Sequence, residues 1–324
     1  MPKAIRIHKP GGPEVLSWDD IAVPPPGDGE AQIRHTAIGL NYIDTYHRTG
    51  LYALPMPAVI GSEGAGVVEA VGPGVADVKR GDRVAYGNAP VGAYAELRNI
   101  PAARLVKIPD GISDQQAASM MLKGMTTQYL IRQTYKVQKG DTILLHAAAG
   151  GVGLILCQWA KHLGATVIGT VGSKDKAALA KAHGCDHAIL YREEDFVARV
   201  KAITGGAGVP VVYDSVGKDT FEGSLKCLQP MGLMVLFGAA SGPVPPLDLG
   251  RLAGLGSLYV TRPTLMTYTA KREDLVATAK DLFEVVTSGA VKIEIKQTYP
   301  LAEAAQAHRD LEARKTTGST ILLP

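Results

Sequence analysis

Cysteine is scarce in this chain. Its 324 residues hold three, Cys157, Cys185 and Cys227, far apart and with no C-x-x-C among them. An odd, scattered set excludes a disulfide framework and points to a reducing compartment, with the cytoplasm as the default. Blocks of Lys or Arg are also missing. The net charge of +3 and pI of about 8.6 are mildly basic. That suits a small anionic ligand, and without a clustered basic stripe it leaves no footprint for nucleic acid. No apolar run reaches membrane length, because the longest, TILLHAAAGGVGLILCQWA, is broken by His146, Gly150, Gly151 and Gly153. The N-terminal MPKAIRIHKP has no signal-peptide core and reads as a strand. The eight histidines show no metal-site spacing. His146, at the end of an apolar strand, reads as a satisfied interior histidine rather than a ligand. Repeats and low-complexity segments are absent.

What is present is an ordinary globular composition, 46% hydrophobic and 20% charged, in a chain long enough for two domains. Residues 1–110 carry short β-like runs punctuated by Gly and Pro (AIRIHKPGGP, AQIRHTAIG, GVVEAVGPGV, GDRVAYG), the texture of a barrel-like β unit. At Ser113 the texture changes. Ser113 and Gln116 form a capping-box pattern, and AASMMLKGMTTQYLIRQTY reads as helix. Residues 140–261 alternate apolar strands with helices, which implies a parallel sheet with right-handed crossovers. The tail from Arg272 reads helix, strand, helix, strand. The expected organisation is α/β: a Rossmann dinucleotide-binding domain (125–263) inserted into a β-rich domain (1–124 and 264–324).

Residues 146–165, HAAAGGVGLILCQWAKHLGA, raise a sharper question. Ala148-x-Gly150-x-x-Gly153 is the G-x-G-x-x-G register with Ala in first place. It follows a buried strand and opens a helix whose Val152, Leu156, Trp159 and Leu163 share one face. Small residues let the backbone approach a pyrophosphate, and the helix N-terminus favours its charge. We therefore expect Ala148, Ala149, Gly150, Gly151 and Val152 to hold a dinucleotide. NAD sites end the second strand on an acid that binds the ribose 2′-hydroxyl. Here ATVIGTV runs instead into Gly172-Ser173-Lys174, with Lys176 following. Gly172, Ser173, Lys176 and, after the third strand, Tyr191 can meet a 2′-phosphate. The expected cofactor is NADPH. A solvated surface turn is the competing reading, and Asp175 is the one contrary residue.

A β-rich start, an inserted Rossmann unit and a return resemble the medium-chain dehydrogenase/reductase superfamily over the whole chain. Zinc-dependent members carry a catalytic Cys near residues 38–44 and a Gly-His-Glu motif about twenty residues later. This chain has Ile38-Gly39-Leu40-Asn41-Tyr42-Ile43-Asp44 and Gly61-Ser62-Glu63-Gly64, and lacks the four-Cys lobe. No metal is expected, and Glu63 is left with none to serve. HKPGGPEVL, AIGLNYIDTYHRTGLY, LKGMTTQYL, HAAAGGVG, YDSVG and EARKTTGSTILL resemble the zinc-free, zeta-crystallin-like quinone oxidoreductases. The β-rich domain is then the GroES-like catalytic domain of that superfamily.

The resemblance implies hydride transfer from NADPH to a quinone in the cleft between domains, with no metal. It makes residues 41–52 the substrate loop. Asn41 could donate to a carbonyl, while Tyr46 and Tyr52 could stack on the ring or donate. Asp44 completes the expected catalytic set, although it reads equally as a turn or cap residue, and Tyr52 equally as packing. Against the cofactor the resemblance sets Asn41, Lys123, Thr126, Ser215, Phe237, Gly238 and Arg314, the last of which also reads as a solvated helix end. No dedicated proton donor stands out. The alternatives are an NADPH-dependent enoyl or alkenal reductase, with Tyr46 or Tyr52 as donor, and a non-catalytic NADPH-binding protein with RNA affinity. A zinc alcohol dehydrogenase ranks last. GSLYVT reads as an edge strand, through which the family commonly dimerises, so a homodimer is expected.

Overall fold

The computed structural model describes residues 1–88 and 90–324. Its contacts divide the chain into two units. Met1–Met125, Tyr268–Thr287 and Ile293–Pro324 form the first, and Thr126–Thr267 with Ser288–Lys292 form the second. The short return of 288–292 was not visible in the sequence. Gln158 secures it, donating to Lys292 O at 3.1 Å and accepting from Lys292 N at 2.8 Å.

In the first unit a seven-stranded sheet places Ile295–Pro300, Ser319–Leu323, Glu30–Leu40, Glu63–Val71, Arg83–Gly87 and Val106–Lys107 in order, with Leu97–Pro101 also pairing on Glu30–Leu40. A second sheet joins Ser17–Asp20, Lys3–Ile7 and Ala58–Val59. The core between strands is Ile5, Ile7, Ile33, Ile38, Ile60, Val84 and Ile100, all essentially inaccessible. Two helices matter for the site. The first, α1 (Tyr42–Thr49), lies where the sequence suggested only a loop. Its start is set by Asn41, extended in backbone, and Asp44, whose Oδ2 accepts from Asn41 N at 2.9 Å. A short segment with five polar residues in eight shows too little apolar periodicity to read as helix. The second, α2 (Asp114–Tyr129), opens on the reciprocal Ser113–Gln116 bonds that the capping-box pattern predicts. It continues into a π-helical turn, Leu130–Thr134.

The second unit is a six-stranded parallel sheet. Its order is His187–Leu190, Thr166–Val171, Thr142–Leu145, Val209–Asp214, Leu228–Leu236, Tyr259–Thr261, the Rossmann order 3-2-1-4-5-6. Ile143, Leu144 and Leu145 are all fully buried, as expected of a central strand covered on both faces. The helix after it, α3 (Gly151–His162), buries more than the one face read from the sequence: Leu154, Ile155 and Cys157 are inaccessible together with Leu156 and Trp159. Its residues are apolar nearly all round, so no single stripe separates core from solvent.

Candidate functional site

In the second unit the ends of the first and fourth strands flank the switch point where doubly wound folds hold nucleotides. The turn after Thr142–Leu145 is tight. Ala147 adopts the left-handed conformation at φ +56°, and Gly150 N donates back to Ala147 O at 2.9 Å. A Cβ on Gly153 would stand 2.4 Å from Ala147 O, so only glycine lets the helix start this close to the turn. Gly150 is the N-cap of α3, and no side chain caps it. The first N–H groups of the helix are therefore aimed outward with the positive end of the dipole, a cradle for a phosphate. Ala148 and Ala149 are buried beneath it.

The second strand ends at Val171, and α4 (Lys174–Ala182) follows, capped by Ser173 Oγ, which accepts from Lys176 N. No acid lies between Val171 and Lys174. Gly172 faces Tyr191, whose hydroxyl would be 3.0 Å from a Cβ there. Gly172, Ser173, Lys176 and Tyr191 thus gather at one turn. At the fourth and fifth strand ends, Phe237 N donates to Asp214 O at 2.8 Å, and a Cβ on Gly238 would lie 2.5 Å from Ser215 O. The two turns carrying Ser215 and Phe237-Gly238 are therefore in direct contact. Asp214, fully buried, fixes the first of them by accepting from Val216 N and Gly217 N. The sequence reading missed Asp214. His146 is the interior histidine expected, with Nδ1 2.9 Å from Thr170 Oγ1 and Nε2 2.9 Å from Ser224 Oγ.

The first unit brings Asn41, Asp44 and Lys123 into one buried cluster around a residue that sequence reasoning set aside. Glu63 is inaccessible and far from idle. Its Oε1 accepts from Leu122 N, and its Oε2 from Lys123 Nζ and Asn41 Nδ2, each at 2.8 Å. Asn41 Nδ2 also donates to Gly39 O at 3.4 Å, so both amide hydrogens are turned into the protein rather than toward a substrate carbonyl. Gly39 makes the arrangement possible, since a Cβ there would be 2.2 Å from Glu63 Oε2. Lys123 and Thr126, nearly a turn apart on α2, are both buried.

Asp44 sits beside this pair, fully buried, and accepts from Asn41 N, Ser62 Oγ and Tyr94 OH. Burial pushes its carboxyl up to about 6, against those bonds and the Lys123 charge. It has no surface to offer a ligand, so its place is behind the site rather than in it. Tyr46 and Tyr52 pack edge to face, ring centres 5.3 Å apart, and Tyr42 meets Tyr46 in the same way at 5.6 Å. Tyr52 keeps 39% of its surface exposed. His47, whose ring centre is 5.9 Å from that of Tyr52, has a buried Nδ1 with no hydrogen-bond partner among the described residues. Arg314 ends the Ala304–Glu312 helix in the left-handed region, at φ +59°, exposed. Its charge reaches Tyr42, whose phenol is pushed up by burial and by Glu312 and drawn down by Arg314. Among the described residues no three His, Cys, Asp or Glu are grouped to hold a metal ion.

A Rossmann unit with an uncapped glycine turn, joined in one chain to a GroES-like β unit, defines a dinucleotide-dependent oxidoreductase of the medium-chain dehydrogenase/reductase class. Two family models match the chain: "Alcohol dehydrogenase GroES-like domain" over residues 27–110 and "Zinc-binding dehydrogenase" over 151–282. The chain is 56% identical to a quinone oxidoreductase of Pseudomonas aeruginosa, across all of both chains. It superposes on a crystal structure of Escherichia coli quinone oxidoreductase complexed with NADPH with a TM-score of 0.98, at 50% identity, covering 99% of this chain and all of that one. A 2-haloacrylate reductase from Burkholderia sp. is 48% identical over all of this chain and 99% of its own. The chain belongs to the quinone oxidoreductase family of the medium-chain dehydrogenases/reductases.

Proposed function

We propose that this protein is an NADPH:quinone oxidoreductase. The observation that carries the reading is the turn Gly172–Lys176. It closes the second Rossmann strand without an acid and gathers Ser173, Lys176 and Tyr191 at one turn, which supports reading it as the contact for a ribose 2′-phosphate. Bound NADPH supplies a hydride. The chain's own residues hold and orient it. The α3 N-terminus and the Ala148–Val152 turn take the pyrophosphate. Ser215, Phe237 and Gly238 stand at the neighbouring strand ends, and Asn41, Lys123, Thr126 and Arg314 complete the assigned set. The acceptor is assigned to Tyr46 and Tyr52, whose rings offer a stacking surface for a flat quinone, with Asp44 supporting the segment they stand on. A quinone needs no Lewis acid, because the charge that develops on its oxygens is delocalised over an aromatic ring.

NADPH and NADH oxidation with a simple quinone, on wild type and Lys176→Ala, tests this. A strong NADPH preference whose loss appears mainly as a higher KM for NADPH in the variant supports it. Equal use of both cofactors with a silent Lys176→Ala refutes the 2′-phosphate assignment. The 2-haloacrylate reductase relative supports a second reading, reduction of an activated carbon–carbon double bond with Tyr46 or Tyr52 as proton donor. Turnover of 2-chloroacrylate without turnover of quinones would favour it.

A homodimer is proposed through the Tyr259–Thr261 edge strand, which exposes Tyr259 and Val260 near an exposed Met231. A monomeric mass in sedimentation equilibrium refutes it. Three buried free thiols, and no helix among the described residues long and apolar enough to cross a membrane, support placing the protein in the cytoplasm. Recovery in an oxidising compartment on cell fractionation would refute that placement.

A further inference from the structure

A run of buried polar side chains leads away from Asp44 in the first unit, and its direction can be worked out. Arg48, in the last turn of α1, is 1% exposed. Its Nε donates to Gly11 O at 3.1 Å, and its two terminal nitrogens grip Glu312 at 2.9 and 2.7 Å. The same NH1 lies 2.9 Å from His308 Nδ1. A guanidinium has donors only, so His308 Nδ1 accepts and the ring proton sits on Nε2. His308 Nε2 is 3.0 Å from Tyr94 OH, which must accept it. The Tyr94 hydrogen is then directed to Asp44 Oδ2, 3.0 Å away. Asp44 Oδ2 also accepts from Asn41 N, and Oδ1 accepts from Ser62 Oγ at 2.9 Å.

Asp44 is thus surrounded by donors. A proton on it would need one of them to turn away. The Asn41 N–H is fixed by the backbone. Tyr94 cannot reverse, because His308 already fills its acceptor side. Only Ser62 is able to rotate. His308 cannot supply the proton, since burial and the adjacent Arg48 hold its imidazolium form down to about 3. Of the other charged and titratable groups, Lys123 faces Asp44 from α2, while Glu63 and Tyr86 stand in the adjoining strands.

We infer that Tyr94, His308 and Arg48 are positioning residues for the reaction: their one-way hydrogen-bond chain keeps Asp44 ionised, and ionised Asp44 holds the Asn41 backbone and with it the Asn41–Tyr46 segment in working geometry. This rests on the assignment of the acceptor to that segment. Activity then fails in acid, when Asp44 takes up a proton on Oδ1, where Ser62 can turn away, and the neutral carboxyl holds the Asn41 N–H on Oδ2 only weakly. Opposing the donors, burial brings that event to about 6 in the intact chain.

The test is the pH profile of kcat/KM for 1,4-benzoquinone between pH 5 and 9. Wild type is expected to show an acid limb. Tyr94→Phe removes one donor, and His308→Leu frees the Tyr94 hydroxyl to accept. Either should move the limb up by about one pH unit, so that kcat/KM falls about tenfold at pH 5 and stays within about threefold at pH 8. A residue that merely supports the fold would lower the whole profile without moving the limb. An absent limb, or one unmoved in both variants, overturns the inference. A second readout needs no turnover: the unfolding-midpoint gap between wild type and Tyr94→Phe should widen from pH 5 to pH 8, and a constant gap overturns the chain. If wild type reduces no quinone at any pH, the functional reading fails, and the gap alone decides the chain.

Discussion

Lys123→Met probes the buried ion pair at the centre of the first unit. Glu63 is inaccessible and Lys123 5% exposed, with Nζ 2.8 Å from Oε2. Methionine keeps the length of the side chain and removes the charge. Glu63 would then stay in the interior as an anion with only Asn41 Nδ2 and Leu122 N to answer it. Removing one partner of a buried pair costs about 3–5 kcal/mol, because the survivor keeps its desolvation penalty and loses its attraction. Glu63→Gln should cost a comparable amount by taking the counter-charge from a buried ammonium. The double variant leaves no charge to strand, so it should lie within about 1–2 kcal/mol of wild type. The pair coupling in a double-mutant cycle should then be at least about 4 kcal/mol. For a unit of this size 1 kcal/mol moves the midpoint by roughly 2–4 °C, so each single variant should melt on the order of 10 °C lower. Thermal and urea unfolding followed by circular dichroism of all four proteins measures this. Additive single effects, or singles below about 1 kcal/mol, would show that Lys123 and Glu63 do not depend on each other, and the buried pair would not be what organises Asn41.

Two further outcomes follow from the geometry. Gly153→Ala should destabilise the second unit and weaken NADPH binding at least tenfold in a fluorescence titration, because its Cβ would come 2.4 Å from Ala147 O and the turn must open; unchanged affinity would mean that the turn does not hold the pyrophosphate. Asp44→Asn should become progressively more stable relative to wild type as pH rises. The Asp44 pKa is raised on folding from 3.8 to about 6, so its favourable contribution is complete below 3.8 and lost as pH rises through 6. At about 1.36 kcal/mol per pH unit, that is about 2.4 kcal/mol between pH 4 and 7, and a pH-independent difference in unfolding free energy would refute it.

The nucleotide turn could be read from the chain because it is local. Strand, Ala148-x-Gly150-x-x-Gly153 and apolar helix lie within twenty residues, and the turn's demand for small residues is written at each position. The Ser113–Gln116 cap and the helix of the returning tail were legible for the same reason. By contrast α1 reads as a loop in the sequence. Its start depends on Asn41 and Asp44, and two of the three donors that fix Asp44 are Ser62 and Tyr94, 18 and 50 residues away.

By itself, then, the sequence determined the alternation that makes a parallel sheet, the glycine turn, and the missing acid after the second strand, each a short-range consequence of backbone sterics, periodicity and charge. Only the tertiary structure decided what Glu63, Asp44 and Arg48 do. Arg48 meets Glu312 264 residues later, and Glu63 meets Lys123 60 residues later. A buried charge is defined by the partners that make its burial tolerable, and those partners are chosen by the fold rather than by distance along the chain.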